Sequence, residues 1–159
     1  MSHISDAPKC AMRDLPPHPV LSIRLRTTIQ DLPRRVGEAY GAVADYLAAM
    51  GTDPAGPPFV AYFNADMQDL DIEAGFPVAR LVAGQGHIQP RIVPGGRAAV
   101  CRHVGPYSEL HAAYARLTAW MQAEGQAGTG VAYEFYLNDP ETVPPGALQT
   151  EIAMPLAAG

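Results

Sequence analysis

The sequence predicts an α+β protein made of duplicated β-α-β-β units with pseudo-twofold symmetry. It forms an antiparallel sheet, with two main helices on one face and a ligand cleft on the other. Three observations carry this. Apolar residues alternate at period two in six segments and recur at helical spacing in two others. The order strand, helix, strand, strand occurs twice. Matching residues of the two halves also stand 74 positions apart: Tyr40 and Tyr114, Val43 and Leu117, Leu47 and Met121, Gly51 and Gly125, Tyr62 and Tyr136, Asn64 and Asn138.

The first unit opens with "VLSIRLRTTI", where Leu21, Ile23 and Leu25 alternate with Ser22, Arg24 and Arg26 as in a half-buried strand. "DLPRRVGEAYGAVADYLAAMG" follows as a helix. Asp31 suits the N-cap, Pro33 the first turn and Gly51 the stop, and Val36, Tyr40, Val43 and Leu47 form its apolar stripe. "PFVAYFNAD" and "DLDIEAGFPVA" read as two strands. The second unit repeats the layout with "GRAAVCRHV", a Gly105-Pro106 break, and the helix "YSELHAAYARLTAWMQAEG". The strands "VAYEFYLND" and "LQTEIAMPL" close it. In the last strands Glu73 aligns with Glu151 and Pro77 with Pro155 at an offset of 78, which a four-residue insertion around "VPPG" explains. The repeat halves cover about 19–80 and 96–157. The domain runs over 19–157, and residues 1–18, polar and proline-rich, read as a mobile tail. "GQG" and "PGG" read as turns joining the halves, lacking a phosphate-loop context.

The totals narrow the function. A chain of 159 residues buries a core without staples. Its net charge of −5, from 11 basic and 16 acidic residues, offers no basic stripe for nucleic acid. No run of about 18 apolar residues predicts a membrane helix, and no apolar leader predicts secretion, so the expected compartment is cytoplasmic. Cys10 and Cys101 do not suggest a disulfide framework, no His/Cys spacing suits a metal, and no cofactor is expected.

Strand alternation raises one question. "VAYEFYLN" places the acid Glu134 among aromatic residues. Val131, Tyr133, Phe135 and Leu137 form the set expected under the helix; Ala132, Glu134, Tyr136 and Asn138 form the other. Their counterparts in the first half are Val60, Tyr62 and Asn64. The helix-free face is therefore expected to hold Tyr62, Glu73, Glu134, Tyr136 and Glu151. Such residues can simply be solvated or fill cross-strand gaps. Alternatively they line a tyrosine-rich cavity with a carboxylate floor, suited to flat lipophilic cations through stacking, cation–π contacts and charge neutralisation. Burial would raise the pKa of that carboxylate when no ligand is present. His103 is expected at the pocket rim and Cys101 in the core; a Cys101-His103 nucleophile is disfavoured, since the pair lacks a third, orienting group.

"GPYSELHAAYARLTAWMQAEG", with "YEFYLNDP" and "TEIAMPL", resembles the GyrI-like small-molecule-binding superfamily. That family includes effector-binding domains of AraC- and MerR-type multidrug-sensing regulators and a gyrase-inhibitory protein. The resemblance runs from about Val20 to Leu156. It implies a pocket between the halves, with Glu134 as the principal ligand-facing charge and Tyr136 and Glu151 as further pocket residues. It also implies lipophilic cations, dyes and drugs as ligands. Regulators of the family carry a helix-turn-helix before this domain; here only the tail precedes it, so direct DNA binding is not expected. Two alternatives stay open at this point. One is a hydrolase of strained cyclopropane-type genotoxins in which Glu134 orients or deprotonates water with help from Tyr136. The other is a protein-protein module acting on a partner such as a regulator or gyrase.

Overall fold

The structure, a computed structural model, describes residues 9–157. In chain order its elements are β1 (Cys10–Leu15), β2 (His18–Thr27), α1 (Leu32–Ala49), β3 (Phe59–Tyr62), β4 (Leu70–Pro77) and β5 (Ile88–Val93). Then follow β6 (Gly96–Val104), α2 (Leu110–Ala123), β7 (Ala132–Tyr136) and β8 (Gln149–Pro155). They group into an N-terminal unit, residues 16–95, and a C-terminal unit, residues 9–15 with 96–157. Each is an α+β unit in which an antiparallel sheet carries one long helix.

In the N-terminal unit the strands lie in the order β3-β4-β2-β5, with every neighbouring pair antiparallel. Helix α1 packs Val43 and Leu47 against Leu21 and Val78, with Ile23, Tyr46 and Phe76 closing around them. Burying side chains of this size contributes about 1.5–3 kcal/mol each. In the C-terminal unit the order is β1-β6-β8-β7, again antiparallel throughout. Ala113, Leu117 and Met121 of α2 pack on Ala99, Cys101 and Ile152 of the sheet, flanked by Leu110, Tyr114 and Trp120.

The repeat read from the sequence extends to hydrogen bonds. Both helices stop at a glycine with φ of 69°, Gly51 and Gly125, a left-handed conformation that glycine adopts without a Cβ penalty. Thr52 N–H donates to Leu47 C=O, and Gln126 N–H to Met121 C=O, closing each end in the same way. Asn64 accepts from Asp71 N–H and donates to Asp69 C=O. Asn138 does the same with Gln149 and Ala147. These side-chain amides tie together the two ends of the β3–β4 and β7–β8 connections.

Two expectations are corrected. The tail is shorter than 18 residues: Cys10–Leu15 is a strand on β6, and β2 already begins at His18. Cys10 and Met12 are half-buried while Ala11 and Arg13 are exposed, a period-two signal obscured by the polar context and by Pro16-Pro17. Residues 1–8 of the expected tail lie outside the described residues. The connection between the halves contains a strand, β5, which pairs with β2 at the end of its sheet, the position that tolerates Pro90. At the start of α1, Asp31 occupies the N-cap as expected; it makes no side-chain cap bond, and Thr28 Oγ1 accepts from its N–H at 3.2 Å.

Gly75 sits where β4 pairs with both β2 and β3. A Cβ there would collide with the Leu21 carbonyl oxygen and lie 2.6 Å from the Ser22 Cα. Gly37, on the exposed side of α1, has open space around it. Gly75→Ala is expected to destabilise the protein by about 1–3 kcal/mol through overpacking. Gly37→Ala is expected to stabilise it by about 0.5–1 kcal/mol. Urea unfolding midpoints of the two variants check both signs.

Candidate functional site

The register of β7 on β8 sets the position of the acid. Glu134 lies opposite Ile152, and Tyr136 opposite Thr150. Ile152 is fully buried beneath α2. Cross-strand partners share a face, so Glu134 and Tyr136 point to the helix side of the sheet. This corrects the expectation that they occupy the helix-free face. The set expected under the helix, Tyr133 and Phe135, lies on the opposite face, where the two rings stack at 6.1 Å. Both faces of this strand are aromatic, so its composition alone does not fix its phase.

Glu134 is 5% exposed. Two phenols meet it there: Tyr114 Oη of α2 donates to Glu134 Oε2 at 2.5 Å, and Tyr136 Oη donates to Glu134 Oε1 at 2.6 Å. Burial pushes the Glu134 carboxyl above its ordinary range, and the two phenol hydrogen bonds pull partly the other way. Among the described residues no Lys, Arg or His forms an ion pair with it. Tyr107, just after the Gly105-Pro106 break, places its ring 5.4 Å from that of Tyr136 at 60°. Burial raises the Tyr107 hydroxyl, helped by the carboxylates of Asp139 and Glu134. A buried carboxylate met by two tyrosines, with a third ring beside one of them, can hold an apolar cation through charge and ring faces together.

The other acids have internal partners. Glu73 is buried on the face away from α1, where Ser22 Oγ donates to it at 2.5 Å and Arg91 binds it through two N–H groups. Arg24, its registered partner on β2, pairs instead with Asp71 and stacks 3.8 Å above the Phe63 ring. A hollow of about 380 Å³ opens beside this group, lined by Ser22, Arg24, Glu73, His87 and Arg91 among others. Its carboxylate is already neutralised. Glu151, also on the face away from its helix, lies 3.4 Å from Arg13 and 3.7 Å from Arg102.

The remaining expected residues separate in a similar way. Tyr62 lies opposite Ile72 and Val60 opposite Ala74, both on the α1 face, so Tyr62 too is corrected from the helix-free face. Val60 occupies the repeat position of Glu134. Tyr40, the counterpart of Tyr114, accordingly donates to the Phe59 carbonyl at 3.0 Å. Asn64 belongs to the β3–β4 connection. His103 is buried in the same cross-strand row as Thr150 and Tyr136, and its Nε2–H donates to the Pro106 carbonyl at 3.1 Å. Sequence reasoning missed Tyr107 and Tyr114 as site residues. Tyr114 read as part of the helix stripe, and nothing in its spacing separates a core tyrosine from one that meets an acid. Thr150 Oγ1 is buried without a hydrogen-bond partner in the same row. Among the described residues no cluster of His, Cys, Asp or Glu suits a metal, and no helix is long and apolar enough to cross a membrane.

Residues 8–157 match the family model described as the GyrI-like small molecule binding domain. No curated protein matches the chain. Among solved structures, EcmrR in a cryo-EM complex with DNA aligns with a TM-score of 0.84 at 22% identity, over 96% of this chain and 58% of that one. The chain thus spans less than two thirds of that EcmrR chain. The EcmrR C-terminal domain alone aligns at 0.78 and 21% identity, over 96% and 99% of the two chains. A hydrolase from Listeria innocua aligns at 0.68 and 18%, over 94% and 92%. SAV2435 bound to tetraphenylphosphonium aligns at 0.65 and 9%, over 94% of each chain. At these identities the structural likenesses show a shared fold.

Linkage gives the Glu134 carboxyl a testable sign. Its pKa is raised on folding, so the folded chain holds this proton more tightly than the unfolded chain does. Its contribution to stability is fully present below the unfolded value, about 4.3, and is lost as pH rises through the folded value. Glu134→Gln removes this dependence. The variant is expected to melt no lower than the native protein at neutral pH, with the difference closing toward about pH 4. Thermal unfolding across that range measures it; a variant that is markedly less stable only at neutral pH would show that the fold needs the anion.

Proposed function

The chain belongs to the GyrI-like small-molecule-binding family, and from that premise we propose that it binds small lipophilic cations on the α2 face of its C-terminal unit, with Glu134 as counter-charge. One observation carries this reading. Of the three acids singled out in the sequence, Glu73 and Glu151 have arginine partners, whereas Glu134 is buried with two tyrosine hydroxyls and no basic partner among the described residues. A desolvated carboxylate without a cation favours a ligand that brings one.

Tyr136 and Tyr107 supply ring faces beside the charge, and Tyr114 holds the carboxylate in place from the helix. His103 stays a proposed rim residue through its row with Tyr136. The tetraphenylphosphonium held by SAV2435, a protein of the same fold, is a ligand of the proposed chemical class. The role that fits is sensing or sequestering such compounds.

A hydrolytic reading draws on the same geometry. A carboxyl held above its ordinary range and 2.6 Å from a phenol is placed to exchange protons with water. The Listeria innocua hydrolase of the same fold lends that reading its precedent. It predicts product formation from strained electrophiles, abolished in Glu134→Gln while binding survives.

The binding reading is tested by fluorescence titration with a flat lipophilic cation dye and by calorimetry with tetraphenylphosphonium. Saturable binding is expected, weakened about tenfold or more in Glu134→Gln, which corresponds to about 1.4 kcal/mol. A neutral dye of similar shape should lose little. Equal affinity of native protein and variant for the cations would remove Glu134 from the site.

A further inference from the structure

Cys10 and Cys101 face each other as registered partners across the antiparallel pair β1–β6. Both are free thiols. Directly opposed residues in such a pair have Cα atoms about 4.5 or 5.5 Å apart, and a disulfide spans about 4.4–6.8 Å, so either kind of pairing admits a bond. The side chains are near neighbours as well: Cys10 packs on the cluster that contains Cys101.

We propose that Cys10 and Cys101 form an oxidative modification site, which a hydroperoxide converts to an intrachain disulfide tying β1 to β6. The two positions differ in the way such a site needs. Cys10 is half-buried on the strand at the end of its sheet and meets solvent. Cys101 is fully buried. Its thiol is pushed up to about 12 by burial and then by Cys10, so it reacts slowly with anything but its neighbour.

The chemistry runs in two steps. The Cys10 sulfur attacks the hydroperoxide, the O–O bond breaks, and Cys10 becomes a sulfenic acid while an alcohol, or water from hydrogen peroxide, leaves. The Cys101 sulfur then attacks the Cys10 sulfur. The S–S bond forms, the S–O bond breaks, and the departing hydroxide takes the Cys101 proton to leave as water. Overall the two thiols lose two electrons and two protons, and one peroxide is reduced. A small dithiol reverses the change.

The modification falls on a row that continues to the candidate site. Cys10 pairs with Cys101, Cys101 with Ile152, and Ile152 with Glu134. The bond also joins residues distant in sequence, the case in which a crosslink restricts the unfolded chain most. The inference is independent of what Glu134 binds.

The test treats the full chain with hydrogen peroxide and follows it by intact mass, peptide mapping and thermal unfolding. The expected result is loss of two hydrogens, a Cys10–Cys101 crosslinked peptide, reversal by dithiothreitol, and a melting temperature raised by roughly 10 °C. Cys10→Ser, at the half-buried position, should fold but show neither crosslink nor rise. Cys10 carrying added oxygen with no loss of hydrogens, or a disulfide joining two chains on a non-reducing gel, would overturn the proposal.

Discussion

The pairing of Glu134 with Ile152 is the constraint from which the candidate site follows. Ile152 is fully buried under α2 and sits on β8, between β6 and β7, so its orientation is set by the core. Once β7 pairs in this register, its carboxylate must enter the same layer as Leu117 and Cys101. A one-residue slip would send it to the other face. Desolvating an acid there is costly, and the phenols of Tyr114 and Tyr136 offset part of that cost without cancelling the charge. The result is a deep carboxyl group that is hydrogen-bonded but, among the described residues, has no basic partner.

The duplicated architecture supplies an internal comparison. The N-terminal unit holds its helix over its sheet with the same glycine stop and the same asparagine tie. It has Val60 where the C-terminal unit has Glu134, and its helix tyrosine, Tyr40, turns to a backbone carbonyl. The scaffold therefore does not require the acid. One copy has the apolar Val60 at this place in the layer, while the other has a carboxylate there.

Most of the fold was legible in the sequence because its signals were local and occurred twice. Both helices, their stops, the strands β2, β3, β4, β6, β7 and β8, and the 74-residue offset all rest on periodicity and glycine placement. The strands β1 and β5 were not legible, since a proline pair follows one and a proline interrupts the other, features that ordinarily mark loops. The acid at the centre of the site was legible as a residue but not in its orientation. Tyr133 and Phe135 on one side of β7 rival Tyr136 on the other, and only pairing across strands decides between them. Tyr114 escaped notice for a related reason: a helix stripe fixes which side chains face the sheet but not the atom each one meets.

The proline in β5 has a consequence beyond its own strand. A strand at the end of a sheet exposes a row of backbone donors and acceptors that another chain can use to extend the ladder. Pro90 removes one donor from that row, and the neighbouring Arg91 turns its guanidinium inward to Glu73. An incoming strand would find an interrupted hydrogen-bonding edge beside a buried ion pair. The segment that joins the two repeats thereby also protects the N-terminal sheet against edge-to-edge aggregation.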